Sequence, residues 1–261
     1  MTISFVNSLQ SEWIKRKRSL ASWLAIVGGF FTPSIIIVAR IVHSDRLPAL
    51  YEASGFWKLL WRNNWESMAL FLLPIGVILA TSLVTQMEYK NNTWKQLHTV
   101  PLSLTTIFFS KLVIILAMML QFFLLFNIGI YLSAVIPYLL FPGVSYPKES
   151  IPFMWFLKEN MYYFVDCLPI IALQYLISLR YKNFLIPIGA GFMLWVAALG
   201  SLSWKYGYVI PYTYSMFNFL KGEVVSKASV PAANIHWMAV GYFIAITGAG
   251  YVLYVTKKEK G

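Results

Sequence analysis

Charged side chains are scarce in this chain. Of its 261 residues 12% are charged and 59% are hydrophobic, whereas about 25% of the residues of a soluble globular domain are charged. This shortage excludes a water-soluble protein. The apolar residues also run together in stretches that reach the 20 or so residues needed for one membrane crossing. The sequence therefore predicts an all-α integral membrane protein with several spans.

Patterns typical of metal, nucleotide or catalytic sites are missing as well. Cys167 is the one cysteine, which excludes an internal disulfide and a cysteine metal cluster. The histidines His43, His98 and His236 lack metal-ligand spacing. No glycine-rich phosphate loop ending in Gly-Lys-Ser or Gly-Lys-Thr occurs. We therefore expect this chain to bind no metal or cofactor of its own and to have no enzymatic activity.

Six apolar stretches are predicted to span the membrane. They cover about residues 20–42, 65–85, 105–140, 161–179, 184–202 and 235–255. Residues 43–64 between the first two are expected to be a polar connection on the outer surface. Lysine and arginine gather on the cytoplasmic side of membrane proteins, and more than half of the 21 in this chain fall on the side that holds both termini. This predicts an N-in, C-in topology and explains the net charge of +11 without a nucleic-acid partner.

Residues 1–18 are predicted to form an amphipathic helix ahead of the membrane domain, residues 19–261. The apolar residues compatible with one face are Ile3, Phe5, Leu9, Trp13 and Ile14. The basic residues that follow them are Lys15, Arg16, Lys17 and Arg18. Such a helix lies in the membrane interface, with its cations at the lipid headgroups. It either orients the first span during insertion or has a mechanical role.

Residues 86–101 form the longest polar stretch between two apolar runs on the predicted cytoplasmic side. Trp94, Leu97 and Val100 recur there at helical spacing, which predicts a short amphipathic helix lying on the membrane surface. Pro101 ends that helix, because a proline disfavours helical geometry in the residue before it. Two interpretations follow. The segment docks on another protein, or it is an ordinary loop that Trp94 holds in the interface.

Four polar residues fall within or near the predicted spans. They are Gln121, Asn127, Asp166 and Gln174. Polar groups inside a bilayer are costly and often functional, but they also form hydrogen bonds between helices. We favour the second interpretation for the three amides. Asp166 is expected near the outer boundary, where it would reach water, and the lack of a charge site near the midplane disfavours a secondary transporter.

Two motifs resemble those of the type-two ABC-transporter permease family. One is Glu88-Tyr-Lys-Asn-Asn-Thr93-Trp94, followed by Leu97, Pro101 and Lys111. The other is Ser11-Glu-Trp13-Ile-Lys-Arg-Lys-Arg18 before the first span. Length and the order of six spans agree along the whole chain. The chain is most similar to the small permeases of lantibiotic (bacteriocin) immunity transporters, although it has Asn92 where many members have glycine.

This resemblance implies a permease subunit of an ATP-driven ABC exporter. Residues 88–100 would be a coupling helix seated in a cleft of the ATPase. The coupling residues would be Glu88, Thr93, Trp94, Leu97 and Pro101. The helix of residues 1–18 would be an interfacial elbow helix that directs the first span.

The resemblance also implies partners. Two copies of an ABC ATPase subunit would bind ATP and Mg, and a second permease chain, identical or a sister chain, would complete the transporter in the bacterial inner (cytoplasmic) membrane. The substrate would be amphiphilic, such as an antimicrobial peptide, a lipid or a drug, and peptide export would confer antimicrobial peptide resistance. The alternative from another class is a non-transporting membrane scaffold or sensor subunit.

Overall fold

The computed structural model describes residues 2–17, 19–90, 103–221 and 234–256, and these form a bundle of helices with no strand among them. The helices are α1 (Thr2–Arg16), α2 (Leu20–Val42), α3 (Leu47–Glu52), α4 (Phe56–Ser67), α5 (Leu73–Lys90), α6 (Leu104–Leu140), α7 (Phe153–Arg180), α8 (Leu185–Gly200), α9 (Tyr214–Leu220) and α10 (Ile235–Val255). A π-helical segment, Met68–Leu72, joins α4 to α5. The all-α prediction is confirmed for these residues.

Five helical stretches of the described chain are long and apolar enough to cross a membrane. They are Leu20–Val42, Phe56–Met87, Leu104–Leu140, Phe153–Arg180 and Ile235–Val255. At 1.5 Å per residue, the 16 residues of α8 extend about 24 Å. That is less than the hydrocarbon core of about 30 Å. The bundle of several spans is confirmed, and the count of six stays a prediction.

The second span begins earlier than the sequence predicted. Residues 43–64 were expected to be a polar surface connection, but α4 begins at Phe56 and continues through the π-helical segment into α5. Trp57, Trp61 and Trp65 recur every fourth residue and are all buried. The Trp65 ring stacks on Tyr163 of α7, with 3.7 Å between centroids. The expectation is wrong for residues 56–64, because their tryptophan rings form a helix face that packs inside the bundle.

Pro74 explains an irregular turn in this second span. Proline has no backbone N–H, so it cannot donate to the carbonyl of Leu70 four residues earlier. The indole N–H of Trp195 in α8 donates to that carbonyl instead, at 3.1 Å. The hydroxyl of Ser215 in α9 donates to the neighbouring carbonyl of Ala69, also at 3.1 Å. Since a bilayer supplies no water for unpaired backbone groups, these bonds hold α8 and α9 against the irregular turn.

Helices α2 and α6 pack closely because each contributes a glycine against which the other helix lies. An ideal Cβ on Gly129 of α6 would lie 2.8 Å from Cγ of Pro33 in α2. An ideal Cβ on Gly29 would lie 3.0 Å from Cβ of Leu125. Neither position has room for a larger side chain. Glycines in membrane helices allow such close approach of two backbones, and here they let α2 continue past Pro33 against α6.

Both ends of the described chain lie at one end of the bundle. Glu12 of α1 accepts a hydrogen bond from Lys111, about two turns into α6. The hydroxyl of Thr105, in the first turn of α6, is hydrogen-bonded to that of Tyr251 near the end of α10. We call this end the base, and the opposite end, which carries residues 43–55, 141–152 and 201–221, the far end. The prediction that the base faces the cytoplasm rests on the distribution of basic residues.

Candidate functional site

The predicted coupling residues belong to the connection between α5 and α6 at the base. Thr93, Trp94, Leu97 and Pro101 lie outside the described residues, and Glu88 is described only as part of the backbone of α5. Just before the connection, α5 is bonded to the end of α7. The amide of Gln86 donates to the carbonyls of Ser178 and Tyr181 at the end of α7, at 3.1 and 2.7 Å. The coupling prediction therefore concerns a segment that begins and ends at the base.

A buried ion pair joins α1, which we call the elbow helix, to α6. The ammonium of Lys111 donates to Oε2 of Glu12 at 2.9 Å, and Lys15 donates to Oε1 of the same carboxylate at 2.7 Å. The side chains of Lys111 and Glu12 are 3% and 5% exposed. Burial raises the pKa of Glu12, but the charge of Lys111 and the hydrogen bond from Lys15 outweigh this and bring its pKa below the ordinary value. Glu12 is therefore ionised at neutral pH.

The remaining predicted elbow residues differ in their surroundings. The guanidinium of Arg16 lies over the ring of Trp13, 3.9 Å from its centroid, and Arg16 is buried while Trp13 is 39% exposed. Lys17 is exposed, and Arg18 lies outside the described residues. A shallow groove between α1 and α6 is lined by Trp13 itself and by other apolar side chains, including Leu9. The elbow helix thus contacts α6 through both apolar packing and the ion pair.

The intramembrane amides bond helices to one another. The amides of Asn127 in α6 and Asn160 in α7 exchange two hydrogen bonds, of 3.0 and 2.9 Å. Gln174 of α7 donates to the hydroxyl of Ser82 in α5 and to the carbonyl of Pro187 in the first turn of α8, both at 2.8 Å. These bonds agree with the interpretation of Asn127 and Gln174 as links between helices. Gln121 is half-buried on α6.

Asp166 is fully buried and does not reach water, so that expectation is wrong. Its Oδ1 lies 2.8 Å from Nδ1 of His236, in the first turn of α10. The imidazole also stacks on Tyr162, with 4.2 Å between ring centroids. The start of α10 packs on α7 at this point and covers the carboxylate. Sequence reasoning missed this pair because 70 residues separate its members.

Arg40 is another buried charge that sequence reasoning missed. Its guanidinium donates to the carbonyl of Ser133 in α6 at 2.9 Å and to the hydroxyl of Tyr51 in α3 at 3.2 Å. The Tyr51 hydroxyl in turn donates to the carbonyl of Ala134 at 2.7 Å. Arg40 therefore holds the far end of α2 against α3 and α6. The signal in the sequence is an arginine inside an apolar span, which is rare and costly.

A cavity of about 680 Å³ opens at the far end between α4, α7, α9 and α10, and we call it the far-end cavity. Ligand sites of proteins range from about 300 to 1,000 Å³. The charged and imidazole side chains that line it are Lys58, Arg62, Glu159, Lys221 and His236. The aromatic side chains that line it are Trp61, Trp155, Tyr162, Tyr163 and Phe219. The cavity is large enough for a ligand and combines cations with apolar rings.

Long apolar helices, joined inside the bundle by amide and ionic hydrogen bonds, define this chain as a multi-pass helical membrane protein. A family model described as "ABC-2 family transporter protein" matches residues 8–198, from the elbow helix to α8 and more than half of the chain. The chain therefore belongs to the ABC-2 family. It is a membrane permease subunit of an ABC transporter, whose partner is an ABC ATPase subunit. Comparisons with curated proteins and with solved structures give no match.

Proposed function

We propose that this chain is the permease subunit of an exporter that moves an amphiphilic substrate, such as an antimicrobial peptide, a lipid or a drug, out of the bacterial inner membrane. The observation that carries the proposal is the buried ion pair between Glu12 and Lys111. Because it joins the elbow helix to α6, a displacement of the α5–α6 connection would move α6 and the elbow helix together. An ion pair that links these two helices suits a subunit that a partner protein moves from the cytoplasmic side.

The proposed mechanism places all nucleotide chemistry on partner subunits. Two ABC ATPase subunits bind ATP and Mg, and residues 88–100 of this chain dock on one of them. Closure of the ATPase pair displaces the coupling segment, and the bundle changes from one open side to the other. A second permease chain, identical or a sister chain, completes the membrane part. This chain contributes no catalytic residue.

We further propose that this permease belongs to a transporter of the lantibiotic-immunity subtype. It is supported by the motif of residues 88–101 and by the basic elbow segment, both of which resemble the small immunity permeases. In that role the transporter would take peptide antibiotics from the membrane and release them outside, which gives the cell resistance.

Purification of the tagged full chain, followed by assays of ATP hydrolysis and transport in reconstituted vesicles, tests the proposal. We expect an ATPase to copurify in stoichiometric amount. We expect Glu88→Lys and Trp94→Ala to abolish transport while the chain still inserts into the membrane. Glu52→Lys and Trp204→Ala are matched controls, because both side chains are exposed at the far end.

The outcomes separate the parts of the proposal. Normal transport by Glu88→Lys and by Trp94→Ala would refute the coupling role of residues 88–100. A chain that purifies without any ATP-hydrolysing partner would favour the scaffold or sensor alternative. A stoichiometric ATPase whose hydrolysis does not respond to either variant would show that the ATPase contacts another part of the chain.

A further inference from the structure

We infer that the far-end cavity binds a lipid-like amphiphile with an anionic phosphate head, which lies on Lys58 and Lys221 while its apolar part lies against Trp61 and Trp155. This assigns a substrate class and so rests on the proposed function. Binding itself is a property of this chain alone and is tested without a partner.

The charges on the cavity wall favour an anion. Lys58 and Arg62 extend from α4, and Lys221 follows α9, whereas Glu159 of α7 is the one carboxylate among the described lining residues. The imidazole that α10 contributes is paired with the fully buried Asp166, so that carboxylate does not face the cavity. Cations bind phosphate oxygens by charge-assisted hydrogen bonds, which are about twice as strong as neutral ones. A cationic head would be repelled by the same wall.

The rings on the cavity wall favour an apolar tail. Trp61 and Trp155 lie edge to face, with 4.9 Å between centroids, and Trp61 also packs near Tyr163, at 5.8 Å. The ammonium of Lys58 lies 5.7 Å from the centroid of Trp155, so a cation and an indole share one part of the wall. Tryptophan and tyrosine are enriched at the level of lipid headgroups, which is the depth at which an amphiphile presents both of its parts.

Helix α9 connects the cavity to the irregular turn of the second span. Phe219 of α9 lines the cavity, and Ser215, one helical turn earlier, donates to the carbonyl of Ala69 in the π-helical segment. A ligand that contacts Phe219 therefore lies one helical turn from the point where the second span departs from α-helical geometry. A ligand in the far-end cavity can therefore affect the conformation of the second span, as expected of a substrate site.

Direct titration of the purified full chain in a neutral detergent tests the inference. The probes are a short-chain phosphatidylglycerol, the phosphatidylcholine of equal chain length and inorganic phosphate, with tryptophan fluorescence and microscale thermophoresis as readouts. We expect the phosphatidylglycerol to bind at least about tenfold more tightly than either other probe. We expect the double variant Lys58→Gln/Lys221→Gln to lose this preference, and Lys58→Arg/Lys221→Arg to keep it.

Lys148→Gln/Lys205→Gln is the matched control, because it removes two exposed far-end lysines that do not line the cavity. An equal loss of binding in this control would show general surface attraction and overturn the inference. Equal affinity for the two phospholipids would also overturn it. Inorganic phosphate binding as tightly as the phosphatidylglycerol would show a site for a free anion and not for an amphiphile.

The same titration separates this inference from the proposed function. ATP-driven transport by a chain that shows no preference for the anionic phospholipid would refute the cavity assignment and leave the exporter intact. Selective binding by a chain that never supports ATP-driven transport would refute the proposed function and leave the binding site intact.

Discussion

The ion pair between Glu12 and Lys111 gives a prediction whose size can be worked out. At 2.9 Å and an effective dielectric constant of 20, the attraction between two unit charges is about 6 kcal/mol. Removing two charges from water costs several kcal/mol for each ion, so the net contribution of such a buried pair is small. Removal of one member leaves the other charge buried with fewer partners and costs about 3–5 kcal/mol. Each single variant should therefore be clearly less stable than the native chain, and the double variant should be less affected than either.

We expect Lys111→Met to lower the unfolding midpoint of the full chain in detergent by on the order of 10 °C. Glu12→Leu should have an effect of similar sign, because the buried ammonium of Lys111 then loses its 2.9 Å bond to Glu12. The double variant Glu12→Leu/Lys111→Met should regain most of the loss, because it removes both charges of the pair together. Thermal unfolding followed by tryptophan fluorescence measures all three, with Lys182→Met as the control for an exposed lysine at the base.

The pH dependence checks the same pair. Because the folded protein holds the pKa of Glu12 below its ordinary value of 4.5, its contribution to stability is fully present above about pH 4.5 and is lost as the pH falls through the lower folded-state pKa. The difference in stability between the native chain and Glu12→Gln should therefore be constant from pH 6 to 8 and shrink only in acid. Equal stability of the native chain and both single variants, or a double variant less stable than either, would refute the reasoning.

Four further variants, one of them a control, test the contacts of α8. Gly191→Ala should lower the unfolding free energy by about 1–3 kcal/mol, because the new Cβ would lie 2.6 Å from Oε1 of Gln174. Gly189→Ala is the control and should have little effect, because the space around Gly189 is open. Denaturant unfolding measures both variants. Trp195→Phe should cost about 1–3 kcal/mol by leaving the Leu70 carbonyl unpaired, and hydrogen exchange should rise around that turn. Gln174→Ala should cost about 1–2 kcal/mol for its interhelical bonds, and a thermal midpoint equal to that of the native chain would contradict this.

Hydropathy located several spans closely because charged or polar residues border them. The first and last predicted spans, 20–42 and 235–255, coincide with α2 and α10, since Arg18 and Ser19 precede one and Asn234 precedes the other. The start of the second span was missed for a related reason. The segment from Phe56 carries lysine, arginine and asparagine, so its average hydropathy is low although its tryptophan face is buried.

The buried charges could not be predicted from local sequence. Glu12 and Lys111 are 99 residues apart, and His236 is 70 residues from Asp166. Each pair forms only because two helices, distant in the sequence, pack side by side in one register. The far-end cavity could not be predicted from local sequence either, because four separate helices contribute its walls.

The bonds of Arg40 have a consequence for how the protein is made. Its acceptor in α6, the carbonyl of Ser133, lies 93 residues further along the chain. When α2 leaves the ribosome and enters the bilayer, that acceptor has not yet been synthesised. Arg40 must therefore stay hydrated or lie among lipid headgroups until the third long span arrives. The first span consequently gains its hydrogen bond from Arg40 to α6 only after α6 has inserted beside it, so its contacts are completed well after it is synthesised.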